Sequence, residues 1–364
     1  MTVKWLSWMM IACLFLCGCS LPQVTAESRI FLDLDLEFMS DYKLPQTTVD
    51  GTVMGGFSGI AYDRQRDRIY ALSDDRKKPR FYTLALNINA ADQLEEVTIE
   101  DVILFKDEQG QPIAPKVLDP EGIALTPQGQ LWVSSEGVQP QSPPSVAACA
   151  LNTGTWQEQL KLPNYFSPAL EADASPQGIS DNRGFEALTL SPEGDRIFTA
   201  TELPLIQDFD PDASDPERYS RLLHYLVRDV RPLLISEYLY PLAPPTLGLN
   251  GLTELLSIDN GGHFLALERS FSPLSGFNAQ LFQIATAGAT DTSSLERLET
   301  PLQGVNPILK KPLLNLRDLD LTLGNLEGMT LGPMLSDGSR SLLLVSDNGF
   351  DAGQPTQFLL FRLR

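Results

Sequence analysis

The chain has 364 residues and a net charge of −20, with 47 acidic residues against 27 basic ones. This length allows one large domain or two smaller ones. The negative charge argues against nucleic acids and anionic lipid surfaces as partners, and it favours cations or basic ligands.

The N-terminus predicts export and lipidation. An apolar run over residues 5–16 is too short to span a bilayer as a mature helix. The run ends in Leu16-Cys17-Gly18-Cys19, which resembles a bacterial lipobox with a small residue before the cysteine that receives the lipid. We therefore predict a lipoprotein signal peptide over residues 1–18 and lipidation of Cys19. An ordinary secretion signal cleaved after Ala26 is the alternative.

These signals set the expected domain boundaries and location. Residues 19–27 are predicted to form a short tether, and residues 28–364 a folded domain. The protein is then expected in the periplasm or on the cell surface, as a monomer that contacts the membrane only through the lipid on Cys19.

Five segments of the predicted domain repeat one short apolar pattern, with an acid or a serine at its third position. The segments are Gly56-Phe-Ser-Gly-Ile-Ala-Tyr62, Asp119-Pro-Glu-Gly-Ile-Ala-Leu125, Gly184-Phe-Glu-Ala-Leu-Thr-Leu190, Leu252-Thr-Glu-Leu-Leu-Ser-Ile258 and Asn325-Leu-Glu-Gly-Met-Thr-Leu331. The third positions, Ser58, Glu121, Glu186, Glu254 and Glu327, are 63, 65, 68 and 73 residues apart. Such a near-constant spacing indicates repeated supersecondary units.

Each repeat continues with a turn and a second strand-like run that ends in an acid. The terminal acids are Asp74, Glu136, Glu202, Glu268 and Asp347. Turn residues between two short strand-like runs predict a β-hairpin. Because antiparallel pairing places the start of the first strand beside the end of the second, we expect the two acids of each repeat to lie close together on one face.

Two further strand-like runs follow in each repeat. In the first repeat they are Arg80–Leu86 and Glu96–Phe105. Four antiparallel strands per repeat are typical of a β-propeller blade. We therefore predict an all-β propeller of four-stranded blades, with five visible repeats and room for a sixth in the longer spacings.

The last repeat has three strand-like runs and ends in Gln357–Leu363. The segment Arg29–Glu37 alternates with period two and is predicted to supply the fourth strand of that blade. A ring closed in this way by a strand from the N-terminus leaves no open sheet edge.

The acids at the strand ends form the candidate site. Of ten such positions, nine carry a carboxylate, and these predicted metal ligands are Glu121, Glu186, Glu254, Glu327, Asp74, Glu136, Glu202, Glu268 and Asp347. Crowded carboxylates repel one another unless they are protonated or neutralised, and their oxygens suit Ca²⁺ or, alternatively, Mg²⁺. The alternative is structural, with the acids capping turns or pairing with Arg76, Arg183 and Arg269.

The chemistry that these residues allow is metal-assisted hydrolysis of a phosphate ester. No Gly-x-Ser-x-Gly, Walker loop or His-Glu-x-x-His motif is present, and the only histidines are His224 and His263. The predicted catalytic residues are Glu186, Arg183 and Glu202, with Glu186 as the general base. The residues predicted to bind the substrate phosphate are Arg76, Arg183 and Arg269.

Several segments together resemble the phytase-like β-propeller family. They are Gly56-Phe-Ser-Gly59, Asn182-Arg-Gly-Phe-Glu186, Ser191-Pro-Glu-Gly194, Thr201-Glu202 and Val345-Ser-Asp-Asn-Gly349. The resemblance extends over about residues 50–364 and concerns a domain described as having esterase-like activity of phytase. It implies a secreted or membrane-anchored propeller with phosphoesterase or phosphodiesterase activity. Ser58 departs from the acidic pattern and leaves the ring incomplete on that side.

Two functions follow as alternatives. The first is an extracytoplasmic phosphoric-ester hydrolase that acts on a small-molecule phosphate ester with a carboxylate-bound divalent cation. The second is a non-catalytic propeller whose acidic face binds a cation, a cationic ligand or a protein partner, because a fold does not dictate a chemistry. A lactonase-like or sugar-oxidising propeller is a third, lesser alternative.

Overall fold

The computed structural model describes residues 30–168, 175–209, 218–227, 231–244, 249–299 and 301–364. The chain divides into two units, Met1–Leu32 and Asp33–Arg364, and the second contains nearly all of the described residues. The predicted signal peptide and the predicted tether with its lipidated Cys19 lie outside the described residues. Within the described ranges, no helix is long and apolar enough to cross a membrane.

The second unit is built from short antiparallel strands. In chain order they are β1 (Leu36–Leu44), β2 (Thr48–Val49), β3 (Thr52–Val53), β4 (Phe57–Asp63), β5 (Arg68–Ser73), β6 (Arg80–Ile88), β7 (Leu94–Leu104), β8 (Pro120–Leu125), β9 (Gln130–Ser135), β10 (Ser145–Ala150), β11 (Trp156–Gln159), β12 (Phe185–Leu190), β13 (Arg196–Thr201), β14 (Tyr219–Leu226), β15 (Leu233–Pro241), β16 (Leu249–Ser257), β17 (His263–Ser272), β18 (Gly276–Ala285), β19 (Leu309–Asn315), β20 (Asn325–Met334), β21 (Arg340–Asp347) and β22 (Thr356–Leu363). Three short 3-10 turns complete the described elements.

Five four-stranded sheets form the blades of a propeller, as predicted. Blades 1 to 4 are β4–β7, β8–β11, β12–β15 and β16–β19, and blade 5 is β20–β22 completed by β1. The first strand of each blade contacts the first strands of its two neighbours, so β4, β8, β12, β16 and β20 surround the central channel. A small β2–β3 hairpin is the only further sheet in the described part of the chain, so the propeller has five blades rather than six.

Period-two alternation explains how the blades pack, and β22 is an example. Phe358 and Leu360 join a buried cluster with residues of blade 1, whereas Leu359 and Phe361 join another with residues of blade 4. Because both faces of each sheet are covered by a neighbouring blade, a strand can be apolar at nearly every position. The core is therefore distributed between the blades.

The N-terminal strand closes the ring, but it is not the predicted segment. Strand β1 pairs with β22 from Leu36 opposite Leu363 to Leu44 opposite Thr356. The predicted segment Arg29–Glu37 begins too early in the chain, because only its last two residues belong to the strand, and Arg29 lies outside the described residues. Although the alternating pattern begins earlier, β22 ends at Leu363, and the pairing extends beyond β1 only to Asp35, which exchanges two backbone hydrogen bonds with Arg364.

The inner strands approach one another closely enough to require small residues. A Cβ atom added to Gly122 would lie 2.5 Å from the backbone oxygen of Glu186 in the next blade, and one added to Gly59 would lie 2.8 Å from that of Glu121. Both distances are shorter than a van der Waals contact. The glycines at these positions therefore set the diameter of the channel.

Every inner strand carries a β-bulge near its start. The residues that the pairing skips are Ser58 in blade 1, Glu121 with Gly122 in blade 2, Glu186 in blade 3, Thr253 in blade 4 and Glu327 in blade 5. A bulge re-aims the side chain that it carries. The aligned positions of four repeats therefore coincide with bulges.

The predicted alignment of blade 4 was wrong by one residue. Gly251 pairs opposite Arg269, as Asn325 pairs opposite Asp347 in blade 5. In this register Thr253 replaces the inner glutamate and Arg269 replaces the terminal acid. Glu254 and Glu268 are each displaced by one position. The sequence alignment superimposed the glutamates of the repeats, whereas the strand pairing in the structure superimposes their bulges.

The displaced Glu254 lies among the inner strands and is 1% exposed. Its carboxylate accepts hydrogen bonds from the backbone N–H of Leu188 (3.1 Å) and Leu255 (2.9 Å), and a further one from that of Met329. These donors belong to the inner strands of blades 3, 4 and 5. Burial raises the pKa of Glu254 well above its usual value, while the three N–H groups oppose that shift. One buried carboxylate thus joins three blades.

Replacing Glu254 tests this connection. Glu254→Ala leaves buried N–H donors unpaired, at a cost of about 1–3 kcal/mol for each, so the midpoint of urea unfolding should fall sharply. Glu254→Gln keeps one acceptor oxygen and should be less destabilising. Glu158→Ala, at an exposed position of β11, is the control. Equal midpoints for Glu254→Ala and Glu158→Ala would contradict the role assigned to Glu254.

Candidate functional site

The acidic mouth is the end of the channel at which the inner strands begin and the second strands of the blades end. Its eight carboxylates are those of Asp74, Asp119, Glu121, Glu136, Glu186, Glu202, Glu327 and Asp347. Seven of these were candidates from the sequence, and the structure brings them together. Asp119 was not a candidate, although it is the first residue of the repeat in blade 2. Its position two residues before the bulged Glu121 was the available signal.

Burial gives these carboxylates unusual proton affinities. Burial, followed by the charges of Asp347 and Asp119, raises the pKa of Asp74 to about 8. Burial likewise raises the pKa of Glu136 to about 8, although a hydrogen bond from the backbone N–H of Gly184 opposes this. The pKa values of Glu121, Glu186 and Glu327 are raised well above the usual range, first by burial and then by neighbouring acids. Crowding of like charges at a buried site makes a bound cation favourable.

Three of the acids form a compact group suited to a metal ion. Asp119, Glu121 and Glu136 each offer one oxygen, and these oxygens all lie within 4.8 Å of one another. The second oxygen of Glu136, Oε2, is buried and has no hydrogen-bond partner among the described residues. A buried unpaired carboxylate oxygen is costly, and a hard cation such as Ca²⁺ would satisfy it. The residues present therefore fit a cation at this position.

Arg269 lies on the opposite side of the acidic mouth. Its guanidinium contacts Glu202 at 2.9 Å and Glu327 at 3.4 Å, and it donates to Asn325 Oδ1 at 2.9 Å. Burial alone would lower the pKa of Arg269, but Glu327 and Glu202 raise it, so the side chain stays charged. The one-residue shift of blade 4 thus places a half-buried cation, with 16% of its side chain exposed, where the other blades carry acids.

The other two arginines are partly exposed at the rim. Arg183 donates to Glu202 at 3.1 Å, and its side chain is 31% exposed. Arg76 donates to Asp119 and to the side chain of Asn182, and its side chain is 38% exposed. Each arginine therefore has an acid partner and can still be reached by a ligand.

Two predicted ligands, Glu254 and Glu268, belong to other contacts. Glu254 is held by the backbone N–H groups described above. Glu268 accepts hydrogen bonds from Tyr240 (2.8 Å) and Asn250 (2.7 Å) and forms an ion pair with Lys310. Lys310 neutralises Glu268 locally, so this acid needs no further cation.

Blade 1 contributes one acid and one serine to the mouth. The Ser58 hydroxyl donates to the backbone oxygen of Pro120 at 3.1 Å and is buried. Asp74 Oδ1 is buried without a hydrogen-bond partner in the described part of the chain. Ser58 therefore joins blades 1 and 2, and Asp74 alone supplies charge from this blade.

Glu186 occupies the middle of this arrangement. Its pKa responds to Glu202, Glu136 and Glu327 in three different blades, and to Arg269. Within the described ranges no hydrogen bond reaches its carboxylate, which leaves both oxygens available to a ligand or a water molecule. The mouth thus combines a group of acids suited to a cation, three arginines suited to an anion, and an unengaged carboxylate near both.

The solved structures that match this chain are only distantly similar to it. They include a gluconolactonase from Xanthomonas campestris (12% identity, 91% of this chain and 96% of that one, TM-score 0.33) and a putative glucose dehydrogenase from Thermus thermophilus (14%, 91% and 100%, 0.38). A GH62 α-L-arabinofuranosidase from Coprinopsis cinerea is another (9%, 90% and 97%, 0.43). Similarities this low say nothing about activity. No curated protein matches the chain.

A family match covers most of the propeller. Residues 52–350 match the model of the family described as "Phytase-like: Esterase-like activity of phytase". This range includes residues of every blade and all eight carboxylates of the acidic mouth. The chain therefore belongs to the phytase-like family.

Proposed function

We propose that the acidic mouth hydrolyses phosphoric esters, phosphomonoesters or phosphodiesters, with a divalent cation held by Asp119, Glu121 and Glu136. The observation that carries this proposal is the buried, unpartnered Oε2 of Glu136 within that group of acids, among the residues that the structure describes. Ca²⁺ is the preferred ion because all three ligands are hard oxygens, and Mg²⁺ is the alternative. Membership of a family described by esterase-like activity supports the same class of reaction.

The cation would supply a Lewis acid for a phosphoryl oxygen and neutralise part of the charge of the mouth. The arginines act on the anionic substrate. Arg183 and Arg76 present partly exposed guanidinium groups at the rim, and both can donate two parallel hydrogen bonds to a phosphate. Arg269 is held by Glu202 and Glu327 deeper in the mouth and stabilises negative charge there.

In this proposal Glu186 acts as the general base, because no described residue donates a hydrogen bond to its carboxylate. Its carboxylate removes a proton from a water molecule as the water oxygen bonds to phosphorus, and the bond to the leaving alcohol oxygen breaks. The proton then reaches that alkoxide, so that the products are an alcohol and a phosphate or phosphomonoester. Glu202 positions Arg183 and Arg269 and takes no part in the proton transfer.

Hydrolysis assays test this proposal with the soluble form that starts at Ser20. p-Nitrophenyl phosphate and bis-p-nitrophenyl phosphate should be hydrolysed with Ca²⁺ and not with chelator, and the preferred ester fixes the class of hydrolase. Glu186→Gln should lower kcat by about 10²- to 10⁴-fold, the usual contribution of a general base. Glu158→Gln is the control. The absence of turnover with every cation would overturn the hydrolase and leave a propeller that binds ligands at its acidic face.

Cation binding can be measured without turnover. Ca²⁺ at 100 times its Kd should stabilise the fold by about 2.7 kcal/mol, seen as a higher Tm. Glu136→Gln removes one ligand and should abolish most of this rise, whereas Glu158→Gln should keep it. An equal rise in Tm for both variants would place the cation elsewhere.

Export and lipidation at Cys19 are the final part of the proposal, and they are independent of the chemistry. The full chain expressed in a bacterium should fractionate with membranes and incorporate labelled palmitate. Cys19→Ser should lose both properties, because the acceptor thiol is gone. Label retained by Cys19→Ser would contradict the assignment of the lipidated residue.

A further inference from the structure

A fully buried arginine joins blade 3 to the segments around it. Arg221 belongs to β14, the third strand of this blade. Its guanidinium donates two hydrogen bonds to Asp208, at 2.6 and 3.0 Å, and one to Glu237 at 2.6 Å. The side chains of both acids are also fully buried. Burial alone would lower the pKa of Arg221, but the two acids raise it, so the side chain stays charged. We call these three residues the blade 3 anchor.

The blade 3 anchor connects three loops that are distant from one another in the sequence. Asp208 ends the 3-10 turn Ile206–Asp208, which follows β13. The guanidinium also donates to the backbone oxygen of Leu295, between β18 and β19, at 2.6 Å. Its Cζ atom lies 5.2 Å from the ring centre of Tyr165, between β11 and β12. A single side chain therefore ties together the chain before β12, after β13 and before β19.

Neutral donors satisfy the excess charge of the blade 3 anchor. Asp208 and Glu237 together carry two negative charges against one on the guanidinium. Glu237 also accepts hydrogen bonds from the hydroxyls of Tyr165 (2.8 Å) and Thr292 (3.1 Å), and Asp208 accepts one from the backbone N–H of Leu298 (2.9 Å). Each of the four carboxylate oxygens thus has at least one donor. A buried polar network that is fully satisfied in this way is rigid.

Gln207, next to Asp208, extends this network to the segment that carries Arg183. The side-chain oxygen of Gln207 accepts a hydrogen bond from the backbone N–H of Gly178 at 2.8 Å. The backbone N–H of Ile206 donates to the backbone oxygen of Gly178 at 2.9 Å. Gly178 precedes Arg183 by five residues. The backbone just before this arginine is therefore held by the turn that Arg221 fixes.

The same turn also fixes the backbone after Glu202. Glu202 precedes Ile206 by four residues, and Leu205 between them is fully buried. The Glu202 carboxylate in turn accepts hydrogen bonds from Arg183 at 3.1 Å and Arg269 at 2.9 Å. Connections this short, in a close-packed interior, transmit a displacement at the turn to the side chains beside it. The position of two arginines at the mouth therefore depends on the blade 3 anchor.

We propose that Arg221 is a positioning residue for the phosphate-binding side of the acidic mouth. It acts through Asp208 and Gln207, which fix the backbone on both sides of the Arg183–Glu202 pair. Within the described residues, Arg221 contacts none of the eight carboxylates of the mouth. The inference rests on the proposed function, because it takes Arg183 as a ligand of the substrate phosphate. It makes no use of the proposed cation position, whose ligands come from blade 2.

Calorimetric titration of the soluble protein with phenylphosphonate, in the presence of Ca²⁺, tests the proposal. This phosphate-ester analogue has a carbon–phosphorus bond that is not hydrolysed. Arg221→Lys keeps the positive charge but loses the planar fork that holds two carboxylates and a carbonyl. Its Kd for phenylphosphonate should rise about tenfold, the loss expected for one charged hydrogen bond. The rise in Tm on adding Ca²⁺ should match that of the wild type, because the cation ligands are not part of the anchor.

A second variant and a matched control complete the test. Gln207→Ala leaves the buried ion pairs intact and removes the side-chain link to Gly178, so it should also raise the Kd. It decides the question if Arg221→Lys does not fold. Arg362→Lys is the control, because Arg362 also lies between acids, Glu37 at 2.8 Å and Asp92 at 2.7 Å, but at the opposite end of the channel.

The outcomes separate the positioning role from the proposed function. A raised Kd in the two anchor variants alone, with the Ca²⁺ response kept, supports the proposal. An unchanged Kd in both anchor variants, or an equal rise in Arg362→Lys, refutes the positioning role and leaves the hydrolase intact. A wild-type protein that binds no phenylphosphonate would overturn phosphate binding at the mouth and the positioning role with it.

Discussion

The close approach of the five inner strands is the constraint on which the rest of the molecule depends. Gly59 and Gly122 allow neighbouring backbones to meet at distances that exclude a side chain. Because the strands start at one end of a narrow channel, the residues at their bulges must share that end. Acids at these bulges are forced together and buried, which raises their pKa values and makes a cation a natural partner. The acidic mouth is thus a consequence of the channel diameter.

Blade 4 is the main source of the asymmetry of the mouth. A bulge one residue earlier relative to the glutamate puts Thr253 and Arg269 where the other blades carry acids or a serine. The same shift sends Glu254 into the channel and Glu268 towards Lys310, where each is satisfied locally. The mouth therefore has an acidic side near blade 2 and a cationic group at blade 4, a polarity that a symmetric ring would lack.

Much of the fold could be predicted from the sequence, because the repeat spacing and the alternation of apolar residues directly indicate the blades and their strands. The number of strands per blade and closure by an N-terminal strand followed from the same patterns. The position of that strand could not be predicted, because the alternating pattern starts before the first residue that pairs with β22. The alignment of blade 4 could not be predicted either. A bulge shifts the strand pairing by one residue, and the amino-acid composition gives no sign of it. Asp119 was missed because only one acid per strand end was considered.

The pairing of β1 with β22 has a consequence for synthesis. Leu44 lies opposite Thr356, so the fifth blade needs residues from both ends of the chain. During translation the first four blades can form in order, but until the last strand emerges β1 stays unpaired and one face each of blades 1 and 4 stays uncovered. Contacts so distant in the chain form slowly, and open edges invite pairing with other chains. A prematurely terminated chain would therefore lose more of its free energy of unfolding than one blade contributes. It would also be a target for chaperones and proteases.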